Sequence, residues 1–174
     1  MSAADPKASI ETASAIEVET FVDGSASDQV GGVAIAHYHH WLHTWLTNLA
    51  PTVSPINAYE VSLRLTNDAE IQQLNTDYRQ QAKPTDVLSF AALDADLPGM
   101  EDLSQQQPFY LGDIIVSVET AACQAPLHQH SLAQEVAWLA AHGLLHLLGW
   151  DHPDEDSLMR MLEKQTQLMS LVNV

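Results

Sequence analysis

The sequence predicts an α+β fold (α/β-like), namely a single domain with a small mixed sheet of about four strands covered by helices. Two observations support this prediction. A chain of 174 residues with 46% hydrophobic content can bury one core but is short for two domains. Segments with the apolar–polar alternation of half-buried strands are interleaved with segments whose apolar residues recur at helical spacing.

Four segments have the residue pattern of strands. They are residues 16–22, 59–65, 87–90 and 110–118. The fourth strand is interrupted by the pair Gly112 and Asp113, and we expect an irregularity there. Residues 93–108, which contain four acidic residues, are predicted to form a long acidic loop.

Five segments have helical periodicity or helix-start signals. They are residues 35–49, residues 67–79, a segment from Glu119, a segment capped by Ser131 and Gln134, and residues 155–171. In the second helix, Ile71, Leu74 and Tyr78 are expected on the buried face. In the third, Cys123 is expected to be a small buried packing residue.

Composition limits the setting in which the protein works. The single cysteine excludes an intramolecular disulfide and fits a reducing, cytoplasmic location. No apolar run reaches the ~18 residues of a membrane span, and the N-terminus lacks the pattern of a signal peptide. Residues 1–30 are expected to form an acidic, partly disordered N-terminal extension, and residues 31–174 the functional domain.

The segment 142–152 carries three histidines with the spacing H-x3-H-x2-G-x2-H. His142 and His146 are four residues apart, which on a helix places both rings on one face. Gly149 suits the left-handed position that ends a helix, so that the chain can turn and bring His152 back. Three neutral imidazoles with one open position form a catalytic zinc site, so we predict a zinc site at the end of a central helix.

Other accounts of these histidines fit less well. Single core histidines are common, but three at this spacing are not, and closed structural zinc sites usually have four ligands rich in cysteine. Metzincin proteases share the spacing and carry a glutamate base after the first histidine, where this chain has Gly143. The usual peptidase base is therefore missing, although another loop could supply one.

A second histidine pair, His39 and His43, also has a spacing of four residues. Neither a third ligand nor a helix-ending glycine accompanies it. A polar helix face beside the apolar one is the simpler interpretation, and we predict no metal there.

Three blocks of sequence resemble the YbeY family of bacterial rRNA maturation factors. The 142–152 segment matches the family pattern H-G-x-L-H-L-x-G-[YW]-D-H at every position. Residues 74–79 and 83–90 resemble its L-N-x-x-Y-R and K-x-T-[DN]-V-L-S-F patterns, and residues 111–117 its L-G-D-I-x-I-S strand. The resemblance covers about residues 58–165 and leaves out residues 1–30 and the 93–108 loop.

The resemblance implies a zinc metalloprotein with one Zn²⁺ per chain on His142, His146 and His152, and a functional, catalytic arginine at Arg79. It also implies an endoribonuclease directed at single-stranded RNA that acts in rRNA 3′-end maturation and ribosome quality control. A three-histidine zinc lowers the pKa of its bound water to ~7, and arginine can stabilise a phosphodiester transition state. For Arg79 a surface salt bridge is the competing interpretation, and Asp151 either orients a ligand histidine or caps a turn.

Two alternatives to this function stay open. One is a non-enzymatic ribosome assembly factor with a fold-stabilising metal, and the other is a metallohydrolase of another substrate class. The net charge of −17, from 23 acidic and 6 basic residues, argues against general binding of polyanions. We therefore expect a narrow positive groove around zinc, Arg79 and Lys83, with activity that falls steeply with salt. A basic small-subunit ribosomal protein or an assembly GTPase is the expected protein partner.

Overall fold

In a computed structural model of the protein, the described residues are 16–23, 29–30, 33–94 and 106–174. Much of the predicted N-terminal extension and of the acidic 93–108 loop therefore lies outside the described residues. The described strands are β1 (Glu17–Asp23), β2 (Gln29–Val30), β3 (Val33–Ala34), β4 (Ala58–Thr66), β5 (Val87–Ala91) and β6 (Phe109–Ser117). The described helices are α1 (Ile35–Leu49), α2 (Asp68–Arg79), α3 (Val118–Gln124), α4 (Leu132–Leu147) and α5 (Glu155–Ser170).

Four of these strands form one mixed sheet in the order β1-β4-β6-β5. Neighbours among β1, β4 and β6 are parallel, and β5 runs antiparallel to β6 at one edge. β2 and β3 form a separate short antiparallel pair, which the sequence pattern does not predict. The predicted α+β fold with a small mixed sheet covered by helices is confirmed.

The edge strand β1 lies inside the segment predicted as an N-terminal extension. It pairs with β4 along its whole length, from Glu17 opposite Ala58 to Asp23 opposite Arg64. This part of the extension therefore belongs to the sheet.

The strand β6 is continuous through the interruption that Gly112 and Asp113 predict. Its pairing with β4 shifts at this point, because Glu60 lies opposite Tyr110 whereas Val61 lies opposite Gly112. The irregularity is thus a bulge within one strand, and the chain does not leave the sheet.

The central helix α4 covers the sheet and carries two of the predicted zinc ligands. It begins with the predicted capping box, in which Ser131 and Gln134 each accept a hydrogen bond from the other's backbone N–H. Most of its apolar residues are buried, because one side packs on β5 and β6 and other sides contact α1, α3 and α5. Each buried leucine contributes roughly 1.5–3 kcal/mol, so this packing holds the last turn of α4 firmly beside β5.

The helix α1 buries the broad apolar face that its sequence predicts, including Trp41 and Trp45. The indole Nε1–H of Trp45 donates a hydrogen bond to the carbonyl oxygen of Leu168 at 2.9 Å, which ties α1 to α5. None of the helices in the described part of the chain is both long and apolar enough to span a membrane.

Two burial predictions are wrong. Cys123 is exposed, because the buried side of α3 carries Ala121, and Cys123 lies about 200° around the helix from it. Tyr78 is 68% exposed although it shares a helix face with the buried Ile71. It lies two turns further along α2, where that face meets the partly buried Phe90 of the edge strand β5.

Candidate metal centre

His142 and His146 lie one turn apart near the end of α4. Their Nε2 atoms are 3.0 Å apart and their ring centroids are 4.6 Å apart. The helical spacing of four residues produces this arrangement directly. Both rings are about half-buried against the sheet, as expected for side chains on the rim of a packed helix.

A tight turn after α4 brings His152 back to the first two histidines. Gly149 adopts φ 84°, the left-handed conformation predicted for it. Its N–H donates to the carbonyl of His146, and the N–H of Trp150 donates to the carbonyl of Leu145, both at 3.0 Å, which makes a Schellman motif. The ring centroid of His152 consequently lies 5.4 Å from that of His142 and 5.3 Å from that of His146.

The three imidazoles fit a metal ion. One ring nitrogen of each lies within 4.8 Å of the others. Two ligands of a tetrahedral zinc with bonds of ~2.0–2.1 Å are about 3.4 Å apart, close to the separation of the two Nε2 atoms of His142 and His146. Burial lowers the pKa of both of these imidazoles, which favours the neutral form that a metal needs.

Gln165 on α5 orients the ring of His142. Its Oε1 lies 3.3 Å from Nδ1 of His142, and its Nε2 donates to the carbonyl oxygen of Trp138 at 2.8 Å. Because an amide oxygen accepts only from a protonated nitrogen, Nδ1 of His142 carries the hydrogen and Nε2 is free for a metal. Sequence analysis missed this residue; the available signal is a polar residue in the buried stripe with Met161 and Leu168.

The glycine that replaces the metzincin glutamate is required by packing. A Cβ atom at Gly143 would lie 2.6 Å from Cγ2 of Ile114 and 3.0 Å from Oγ of Ser89. The hydroxyl of Ser89 also donates to the carbonyl oxygen of Gly143 at 3.2 Å. This side of α4 therefore touches β5 and β6, so the position leaves no room for a glutamate.

Arg79 reaches the same cleft from another element. It is the last residue of α2, which ends because Gln80 adopts the left-handed conformation at φ 58°. A cavity of about 410 Å³ is lined by Arg79 together with His142, His146 and His152. Arg79 and the three histidines predicted to bind zinc therefore line one cavity, although Arg79 is far from the histidines in the sequence.

The protein lining of the cleft is more acidic than the sequence led us to expect. A second cavity of about 270 Å³ shares Arg79, His146 and Asp151 with the first, and the two together form the cleft. Lys83 does not appear among the described residues that line either cavity, whereas Asp86, Asp94 and Asp151 do, alongside Arg79. Asp86 accepts hydrogen bonds from Nε2 of Gln124 and from the N–H of Val87. Asp151 accepts from the backbone N–H of His152 at 2.8 Å, the turn role that was one of its two predicted roles.

A second cluster of polar side chains lies outside this cleft, and sequence analysis missed it. Glu135 is fully buried in the first turn of α4, and its carboxylate accepts hydrogen bonds from Nδ1 of His128 at 3.0 Å and Nδ1 of His130 at 2.7 Å. The available signal is an acidic residue at the start of the apolar run 136–141, shortly after His128 and His130. His39 and His43 belong to neither of the two groups of potential metal ligands in the described ranges.

Fold and site together define an α+β protein with a three-histidine group that could hold a metal ion. The family model for endoribonuclease YbeY matches residues 25–173. A protein of Trichormus variabilis named endoribonuclease YbeY is 55% identical over 142 residues, covering 82% of this chain and 80% of its own length. Another of that name from Picosynechococcus sp. is 49% identical over 159 residues, covering 91% and 96%. The chain belongs to the endoribonuclease YbeY family.

A solved structure supports the fold independently. The solution structure of TM1509 from Thermotoga maritima matches with a TM-score of 0.54 and 22% sequence identity. The match covers 88% of this chain and 87% of that one. An experimental structure with a very different sequence therefore has a similar overall fold.

Proposed function

We propose that this protein is a zinc-dependent endoribonuclease that cuts single-stranded regions of rRNA, in rRNA 3′-end maturation and ribosome quality control. The observation that carries the proposal is the cavity in which Arg79 faces the three histidines. Membership of a family whose members are named endoribonucleases supports the reaction class. We further propose one zinc ion per chain, held by His142, His146 and His152.

Zinc held by three imidazoles supplies a Lewis acid and a nucleophilic water at neutral pH. The chain's own residues prepare the site for this ion. Gln165 fixes the tautomer of His142, and the Schellman turn at Gly149 sets the position of His152. These contacts hold the ligands in place before a substrate arrives, which limits the reorganisation needed during the reaction.

Arg79 is proposed to bind the phosphate whose ester bond breaks. A guanidinium can donate two parallel hydrogen bonds to the non-bridging oxygens of a phosphodiester, and these bonds strengthen as negative charge develops. Arg79, at the end of α2, lines the same cavity as the histidines of α4. Removal of one such donor typically costs about 10²–10³ in kcat.

The proposed biological partners follow from the substrate and the charge. The net charge of −17 disfavours free association with RNA and favours delivery by a basic protein. We propose a small-subunit ribosomal protein or an assembly GTPase in this role, and the cytoplasm as the location.

The decisive experiment measures cleavage of a single-stranded rRNA fragment together with the zinc content of each preparation. Wild type is compared with His146→Ala and Arg79→Ala. His43→Ala, on an exposed part of α1, and Arg160→Ala, on an exposed part of α5, are matched controls for the loss of a histidine and of an arginine.

His146→Ala should lose both zinc and cleavage, because it removes a ligand. Arg79→Ala should keep one zinc per chain and lose about 10²–10³ in kcat, while both controls behave as wild type. If wild type holds one zinc per chain and leaves RNA uncut, the proposed activity of the isolated protein is wrong. Normal cleavage by Arg79→Ala would refute the role of the arginine alone.

A further inference from the structure

The exposure of Tyr78 is unexpected for an aromatic side chain on a helix that packs against a sheet. It is the second-last residue of α2, and 68% of its surface is exposed. Burial of such a ring contributes a large hydrophobic gain, and this gain is largely left unused here. An exposed aromatic ring beside a functional cleft is therefore a candidate contact for a ligand.

The ring of Tyr78 is nevertheless held in position. It packs edge-to-face against Phe90, with ring centroids 5.0 Å apart and an interplanar angle of 64°. Phe90 in turn packs against the small buried cluster of Ile71, Leu88 and Ile115. A ring held by one aromatic neighbour loses little additional freedom when a second flat partner stacks on it, which favours binding.

Tyr78 lies around the open edge of the sheet from the cleft that contains the histidines, on the other face of the edge strand β5. The next residue in the chain, Arg79, lines both cavities of the cleft. Ser89 and Ala91 of the edge strand β5 line the cavity that also contains His146, whereas Phe90 between them points to the other face of the sheet, where Tyr78 packs on it. A nucleotide next to the phosphate bound by Arg79 would therefore lie within reach of the Tyr78 ring.

The charge of the cleft makes a neutral contact valuable. Three carboxylates, of Asp86, Asp94 and Asp151, line the cavities together with a single arginine. Of the other basic residues, Arg64 is engaged with Glu70 in an ion pair of 2.7 Å. Even with the proposed Zn²⁺ bound, the charges of the ion and of Arg79 only balance these three carboxylates, so neutralisation of phosphates, the usual source of affinity for RNA, is weak here. Stacking of a base on an aromatic ring does not depend on net charge.

We propose that Tyr78 is a stacking platform for one unpaired base of the RNA, next to the phosphate that Arg79 binds. This inference rests on the proposed function and deepens it, because it gives a structural basis for a preference for single strands. A base inside a duplex is already stacked on its neighbours and cannot lie flat on the tyrosine. Selection of unpaired RNA then follows from the shape of the binding surface, without sequence readout.

The test measures binding of zinc-loaded protein to a single-stranded oligoribonucleotide by fluorescence anisotropy. A set of oligonucleotides carries one abasic site at each position in turn, and a duplex of the same sequence is included. Wild type is compared with Tyr78→Ala and Tyr78→Phe. Phe21→Ala is the matched control, because Phe21 is 58% exposed on β1, the edge strand at the opposite side of the sheet.

Tyr78→Ala should weaken single-strand binding roughly 5- to 150-fold, the range of one base–aromatic stack, while Tyr78→Phe and Phe21→Ala should bind as wild type. One abasic position should weaken wild type by a similar factor and have no further effect on Tyr78→Ala, since both changes remove the same contact. The ratio between wild type and Tyr78→Ala should persist as salt is raised, and duplex binding should be the same for both.

Two results would overturn the inference. Single-strand binding by Tyr78→Ala within twofold of wild type would show that no base stacks on this ring. An abasic scan that is identical in wild type and Tyr78→Ala would show that the tyrosine acts on folding and not on a base. Either result, with RNA cleavage by wild type intact, refutes the stacking role alone. Failure of wild type to bind or cut RNA refutes both this inference and the proposed function.

Discussion

The substitution Gln165→Met tests whether the buried glutamine of α5 orients the metal centre. Methionine keeps the length and approximate volume of the side chain but removes both of its hydrogen-bonding groups. The Oε1 contact to Nδ1 of His142 and the Nε2 contact to the carbonyl oxygen of Trp138 are lost. Since Gln165 is fully buried, water does not readily replace them.

The size of the effect follows from these two contacts. Loss of a hydrogen-bond partner behind a metal-bound histidine typically lowers metal affinity 10- to 100-fold. The contact to His142 is 3.3 Å long, beyond the usual ~2.9–3.0 Å of an N–H···O bond, so we expect about tenfold. The metal-free protein should also lose about 1–3 kcal/mol in free energy of unfolding, because Nδ1–H of His142 is left unsatisfied.

The assay is competition for zinc between the protein and a chromophoric chelator, with urea unfolding of the metal-free protein alongside. Gln167→Met is the matched control, because Gln167 lies on the same helix with its side chain exposed. It should leave both zinc affinity and stability as in wild type. Gln165→Glu should keep its zinc affinity, because a carboxylate still accepts a hydrogen bond from Nδ1–H of His142.

Zinc affinity of Gln165→Met within twofold of wild type would refute the reasoning. The hydrogen bond to His142 would then have no part in holding the ligand. If Gln165→Glu bound zinc as weakly as Gln165→Met, the role of Gln165 would be packing between α4 and α5, and the fixed tautomer would be the wrong explanation.

Three further predictions concern the turn, the second polar cluster and pH. Gly149→Ala should lower the free energy of unfolding by about 1 kcal/mol in urea titrations, because a φ of 84° disfavours a residue with a side chain. Gly149→Asn should cost less, and equal stability of wild type and both variants would contradict this. Glu135→Gln should lower the free energy of unfolding by about 2 kcal/mol, since the buried carboxylate accepts two charge-assisted hydrogen bonds. The loss should appear as a lower melting temperature, and an unchanged melting temperature would count against that role. Burial lowers the pKa of His142 and His146, so the unfolded chain binds protons more readily than the folded protein does. The metal-free protein should therefore lose free energy of unfolding as pH falls below about 6.5, the usual pKa of histidine. A free energy of unfolding that does not change between pH 7 and pH 5 would refute this.

The sequence by itself determined the features that depend on neighbouring residues in the chain. The capping box at Ser131, the left-handed turn at Gly149 and the pairing of His142 with His146 are all set within one or two helical turns. Local backbone geometry governs such features, so residue type and spacing were sufficient to predict them. The family-specific blocks added Arg79, which no local pattern identifies as a member of the cleft.

Only the tertiary structure decided which distant residues meet. The strand order, the hydrogen bond from His142 to Gln165, the pairing of Glu135 with two histidines and the exposure of Tyr78 all depend on how elements pack. A side chain with helical spacing can be buried or exposed according to whether another element covers it, as Tyr78 shows. Periodicity reports which residues share a face, whereas the chemistry of the cleft depends on what lies opposite that face.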